Sequence, residues 1–201
     1  MTPDPTDIKE ASIGPLPASC AVAFKEWAGV CDALIAGRQS LILRKGGVAE
    51  SGGEFRPDHP AFWLYPTVVH QADQGLRTPS NLPPFDPQVV PIEGLAVVEW
   101  TARVDRLDQL DALADFHDWT EATIRGRFDY RRPGLWALVV RVYRRVEPWP
   151  IRVTPEQLGC KTWVPLDPSI GTEGVRAVTD DAESARRLSE MRRALGEGGP
   201  A

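Results

Sequence analysis

Arg44 and Lys45 stand directly before Gly46-Gly47. Two cations followed by glycines, whose backbone N–H groups stay uncovered, suit a phosphate. The order and spacing of a P-loop are missing, and a basic strand end at a hairpin accounts for the same residues. His70 and Gln71 close a later apolar run. Both side chains donate and accept hydrogen bonds, which suits reading the edge of a base or completing a strand end. Trp63 and Tyr65 lie two apart in that run and share one strand face. In an open groove they would stack a base together; in a core they would only pack.

Other chemistries have thinner support. His59, His70 and His117, with Glu26, Glu50, Glu54 and Asp58, are the side chains from which a metal or acid–base site could be assembled. No HxH, HExxH or paired-carboxylate motif joins them, and no GxSxG elbow presents a nucleophile. No catalytic residue, metal ligand or cofactor is therefore assigned. Cys20, Cys31 and Cys160 are odd in number and lack pair spacing, so they are expected as reduced, buried thiols.

The chain has 201 residues, 42% hydrophobic and 25% charged, with a formal net charge of −5. This is the balance of one soluble globular domain. No apolar run is long enough for a membrane span, and the N-terminus lacks the pattern of a secretory signal. A cytoplasmic protein is expected. The charge is unevenly spread. Residues 125–152 hold eight arginines, Arg141 among them, against two acidic residues. Such a segment in an acidic chain either faces an anionic partner or pairs with the acids around it.

The elements that must position these residues follow from periodicity. Residues 1–18 read as a flexible tail, 19–170 as one domain, and 171–201 as a C-terminal helix and tail. Phe24, Trp27, Cys31, Leu34 and Ile35 recur at helical spacing, which predicts a helix over 21–36 that Gly37 ends. Lys25, Glu26 and Asp32 lie off its apolar stripe. Strands are predicted over 39–45, 62–71, 92–105, 135–146 and 161–166, and helices over 107–119, 121–128 and from Thr179 to about Leu195. Residues 72–91 hold five prolines and read as a long loop. The expected fold is α+β: a small, mostly antiparallel curled sheet or partly open barrel with helices packed on it.

Residues 21–167 resemble the domain-of-unknown-function family numbered 1802. The resemblance rests on Ala23-Phe24-Lys25-Glu26-Trp27, Ile42-Leu43-Arg44-Lys45-Gly46-Gly47, Phe62-Trp63-Leu64-Tyr65-Pro66-Thr67, His70-Gln71 and Gly159-Cys160-Lys161-Thr162-Trp163. Members of that family sometimes adjoin restriction-endonuclease-like domains, which implies a nuclease partner and a role near foreign or modified DNA. Gly37 to Arg44 is also similar to a motif of the pseudouridine-synthase-and-archaeosine barrel superfamily, its ASCH branch above all. The glycine and arginine match that motif; its lysine and acidic positions do not. That likeness implies a small barrel that binds RNA or modified bases.

Together these readings favour a non-catalytic module that binds nucleic acid or a modified base or nucleotide. Lys25, Glu26, Arg44, Lys45, Trp63, Tyr65, His70, Gln71 and Arg141 are the candidate ligand residues. A metal-dependent hydrolase using Glu26, Glu50, His59 or His70, or an accessory interaction domain that recruits a nuclease, are the alternatives.

Overall fold

The computed structural model describes residues 16–45, 55, 57–68, 75–78, 86, 88–159 and 161–196. Seven strands form one sheet in the order β2-β5-β4-β3-β1-β6, with β7 paired to β5. The strands are β1 (Ser19–Trp27), β2 (Leu41–Arg44), β3 (Ala61–Thr67), β4 (Val89–Val104), β5 (Leu135–Arg152), β6 (Trp163–Gly171) and β7 (Arg176–Ala177). Among the described residues only β1 and β3 pair in parallel; the other pairings are antiparallel. The sheet is curled but does not close into a barrel. Helices α1 (Ala28–Ile35), α2 (Leu107–Ala112), α3 (Glu121–Asp129) and α4 (Asp181–Ala194) pack on it. The α+β expectation holds.

The predicted helix over 21–36 is half strand. Residues 19–27 form β1, enclosed between β3 and β6. A strand with neighbours on both sides and both faces covered needs no apolar alternation, so its pattern imitates a helix. The helix proper begins at Ala28, and all eight of its residues are buried. It ends in a Schellman motif: Gly37, at φ 69°, donates to the Leu34 carbonyl and Arg38 to that of Ala33. At Gly94 on β4, a Cβ would lie 2.8 Å from both Ile35 and Leu64, so the missing side chain is what lets α1 lie close on the sheet.

The long antiparallel β4–β5 pair, joined through α2 and α3, extends well beyond the predicted strands. Its outer end, Val89 to Ile92 against Trp149 to Arg152, runs through the facing prolines Pro91 and Pro150. The helix predicted over 107–119 shortens to α2 and a turn of 3-10 helix over Ala114–Phe116. Asp180, rather than Thr179, caps α4, accepting from the Glu183 N–H at 2.8 Å.

Two apolar clusters lie on the two faces of the sheet. One gathers Phe24, Phe62, Leu64, Trp119, Phe128 and the start of β5. The other gathers Ala23, Trp63, Tyr65, Ile92 and Val164.

Candidate ligand site

The period of two along β1 and β3 divides the candidate residues. Ala23 pairs with Trp63 and Lys25 with Tyr65, whereas Phe24 pairs with Leu64 and Glu26 with Pro66. Paired residues share a face. Trp63, Tyr65 and Lys25 therefore face one cluster, and Glu26 faces the other with Phe24. Arg44 joins Glu26: its guanidinium lies 5.3 Å from the Phe24 ring centre. The structure does not bring Trp63 or Tyr65 to Arg44. Trp63 is fully buried and Tyr65 nearly so, so neither offers a ring face to a stacked base in this conformation. Lys25 lies 5.6 Å from the Tyr65 ring and donates to the carbonyls of Gln157 and Gly159.

Lys45 is not at the site either. It donates to the carbonyls of Phe128 and Gly134, both at 2.8 Å, and to that of Arg132, which ties β2 to the end of α3. Burial pushes its ammonium below the ordinary lysine value, Arg103 and Arg132 add to this, and Asp129 opposes it. Arg141 lies on the opposite face of β5 from Trp136, the residue that pairs with Arg44. There it bonds Asp181 at the start of α4, beside Glu99. Glu99 accepts from the Ser184 hydroxyl, and burial pushes its carboxyl above the usual range. His70, Gln71, Gly46, Gly47, Glu50 and Glu54 lie outside the described residues.

What remains is a cluster whose polar atoms are not all used. Glu26 is wholly buried at the end of β1. Its Oε1 accepts from the Trp27 N–H at 2.8 Å, while Oε2 lies 3.7 Å from Arg44 Nη1 and has no hydrogen-bond partner. Arg44 spends Nη2 on Thr162 Oγ1 at 2.7 Å, and its buried Nε has no partner. A second guanidinium, Arg127 from α3, packs 4.3 Å from the Trp119 ring and 4.9 Å from that of Trp27. Its Nη1 is also buried without a partner. Burial lowers the Arg127 pKa, Glu26 opposes that shift and Arg44 adds to it, so the three charges act on one another. Two cations around one carboxylate leave one positive charge in excess.

Aromatic rings surround this cluster. Trp163, half-buried, lies 4.9 Å from Phe24 and 4.7 Å from His59, and is stacked on Phe55 at 5.8 Å. Trp163 follows Thr162 directly, so one short stretch supplies both a ring and the partner of Arg44.

Arg127 and Thr162 were not singled out by the sequence. Arg127 had only its place in the arginine-rich segment as a signal, and that segment is not one patch. Arg125 pairs with Glu121 and Asp111, Arg141 with Asp181, and Arg144 with Glu93, while Arg127 is withdrawn among tryptophans. Thr162 lay inside a family motif without an assigned role.

Among the described residues no three His, Cys, Asp or Glu side chains stand where they could hold a metal. No helix there is long and apolar enough to cross a membrane. Cys20 and Cys31 are unpaired and buried. Burial, then Glu26 and Asp32, pushes the Cys31 thiol well above its ordinary value, which suits packing and not nucleophilic attack.

The architecture is thus an α+β domain with a polar cluster at one end of a curled sheet. The chain belongs to the family described as Domain of unknown function (DUF1802), whose model matches residues 23–190. No curated protein matches it. Among solved structures it is similar to an ASCH protein from Zymomonas mobilis, with 14% identity, a TM-score of 0.41, and coverage of 83% of this chain and 92% of that one. A mutant of the same bacterial protein gives 12% identity, a TM-score of 0.43, and coverage of 83% and 94%. Similarity at that level does not bear on function.

Proposed function

We propose that this chain is a binding module for nucleic acid, or for a modified base or nucleotide, which holds its ligand without transforming it. The observation that supports this is a set of three buried atoms without hydrogen-bond partners, Glu26 Oε2, Arg44 Nε and Arg127 Nη1, on side chains whose charges act on one another. An unmatched buried polar group costs about 1–3 kcal/mol, so a ligand that reached and satisfied these atoms would gain from it. Glu26 supplies an acceptor, and Arg44 and Arg127 supply donors and charge. Trp163 and His59 supply ring surface for a planar group. Base-edge contacts of this kind give selectivity, and the excess positive charge favours a ligand carrying phosphate nearby.

Fluorescence anisotropy with labelled single- and double-stranded DNA and RNA at low salt tests this reading. Saturable binding is expected, with the probe recovered chemically unchanged after incubation with magnesium, manganese or zinc. An absence of binding to every probe rejects it, and cleavage of a probe would move the protein to the hydrolases.

A further inference from the structure

Resting on that reading, we infer that the nucleic acid is held as a single strand, with one unpaired base stacked on the exposed ring of Tyr130. Among the described residues two aromatic side chains are exposed, Tyr130 at 52% and Trp149 at 45%. Tyr130 caps the C-terminal end of α3, three positions after Arg127. It therefore stands about one helical turn beyond an arginine of the polar cluster. Trp149 is remote from that cluster. It lies on β5 far past Trp136, the partner of Arg44, at roughly 40 Å of extended strand.

The loop that carries Tyr130 has a set shape. The Arg132 N–H donates to the Tyr130 carbonyl at 2.8 Å across Arg131, whose φ is 63°. This is a γ-turn in its rare, strained form. The Gly134 N–H closes the loop on the Phe128 carbonyl at 3.2 Å. The Arg131 guanidinium lies over the Tyr130 ring, 5.2 Å from its centre. One ring face is thus backed by a cation, yet more than half of the residue still meets water. Strained backbone of this kind clusters where a ligand is held. Residues 130–134 carry two arginines and no acid, so the loop itself does not repel a polyanion. A base suits the open side of the ring whatever its identity, because every base has a π-face. In a duplex the bases are stacked on one another and closed to a side chain, so the contact selects a single strand.

Tyr130→Ala, Tyr130→Phe and Trp149→Ala test this by anisotropy with labelled oligo-dT, labelled oligo-rU and a labelled duplex. Tyr130→Ala should bind both single strands at least about fivefold more weakly than the parent. Its slope against salt should not change, because stacking neutralises no phosphate. Its affinity for the duplex should also stay the same. Tyr130→Phe keeps the ring and should bind within about twofold of the parent. Trp149→Ala should match the parent. The side chain is exposed, so urea midpoints should agree; should Tyr130→Ala lose stability, Tyr130→Leu, apolar but without a π-face, gives the same comparison. Undiminished binding by Tyr130→Ala, an equal loss in Tyr130→Phe or Trp149→Ala, or an equal loss on the duplex overturns the inference while nucleic-acid binding stands. Displacement of the probe by polyglutamate as readily as by unlabelled oligo-dT assigns the loop to an acidic protein segment and also overturns it. If the parent binds no probe, both readings fall.

Discussion

Arg44 and Thr162 meet at 2.7 Å although they come from opposite edges of the sheet, one ending β2 and the other preceding β6. The contact draws the two edges toward each other and holds the Arg44 guanidinium beside the buried carboxylate of Glu26.

Arg44→Ala should therefore destabilise by about 3–5 kcal/mol, because it removes a cation from beside a carboxylate with no exposure to water. Replacing both partners, Arg44→Met with Glu26→Gln, should recover much of that loss. Urea unfolding of the three proteins checks it. A double variant no more stable than the single one would show that the carboxylate does not depend on this arginine.

Lys45→Met should cost about 2–3 kcal/mol through the loss of charged donors to the carbonyls of Phe128, Arg132 and Gly134. Nucleic-acid affinity of the folded variant should stay the same. An unchanged urea midpoint together with weaker binding would return Lys45 to the ligand site.

His117 is one source of pH dependence between neutral and mildly acidic conditions. Burial, with the Arg77 charge adding to it and Asp115 opposing, holds His117 down at about 4 from an ordinary 6.5. Below about pH 6.5 the unfolded chain takes up this proton and the folded one does not. Stability should thus fall as pH drops from about 6.5 to 4, by up to about 3 kcal/mol from this group. His117→Gln should flatten that part of the curve relative to the parent. Parallel curves for the two proteins would remove His117 as the cause.

Salt should weaken nucleic-acid binding only gently. Arg125, Arg141 and Arg144 are already paired with acids, which leaves Arg44 and Arg127 as the cations at the site. With Glu26 offsetting one of them, a single phosphate neutralisation on a single strand corresponds to a slope of log affinity against log salt of about −0.7. A slope steeper than about −4 would mean that a basic surface elsewhere carries the affinity.

Trp63→Ala should cost about 3–5 kcal/mol of stability and leave the affinity of the folded protein unaltered, since its ring is wholly buried on the face away from Glu26. Weaker binding by a folded variant would place the ring at the ligand.

The sequence shows the sheet more readily than the site. β2, β3 and the inner halves of β4 and β5 announce themselves as short runs of apolar, β-branched and aromatic residues, and Gly37 announces the end of α1. β1 does not, because Phe24, Trp27 and Cys31 fall at helical intervals while Ala23 and Phe24 are buried on opposite faces of a strand. That single misreading matters for the site: on a helix Lys25 and Glu26 lie together off the apolar stripe, whereas on a strand they point to opposite faces. Glu26 and Arg44 were both candidates from the residues, but their meeting depends on pairing between distant strands. Arg127 finds Trp27 and Trp119 across the fold, and no local pattern encodes such a contact.

The place of β1 between β3 and β6 also sets an order of events on the ribosome. β1 leaves the exit tunnel early and finds its parallel neighbour once β3 has followed. Its other edge stays open until β6 has been translated. At about 5–20 residues per second, Thr162 follows Glu26 by about 7–27 seconds. Throughout that interval a hydrogen-bonding strand edge is uncovered and Arg44 lacks its hydroxyl partner. In the nascent chain the Arg44–Thr162 contact therefore forms only after Thr162 has been translated, long after both β1 and β2.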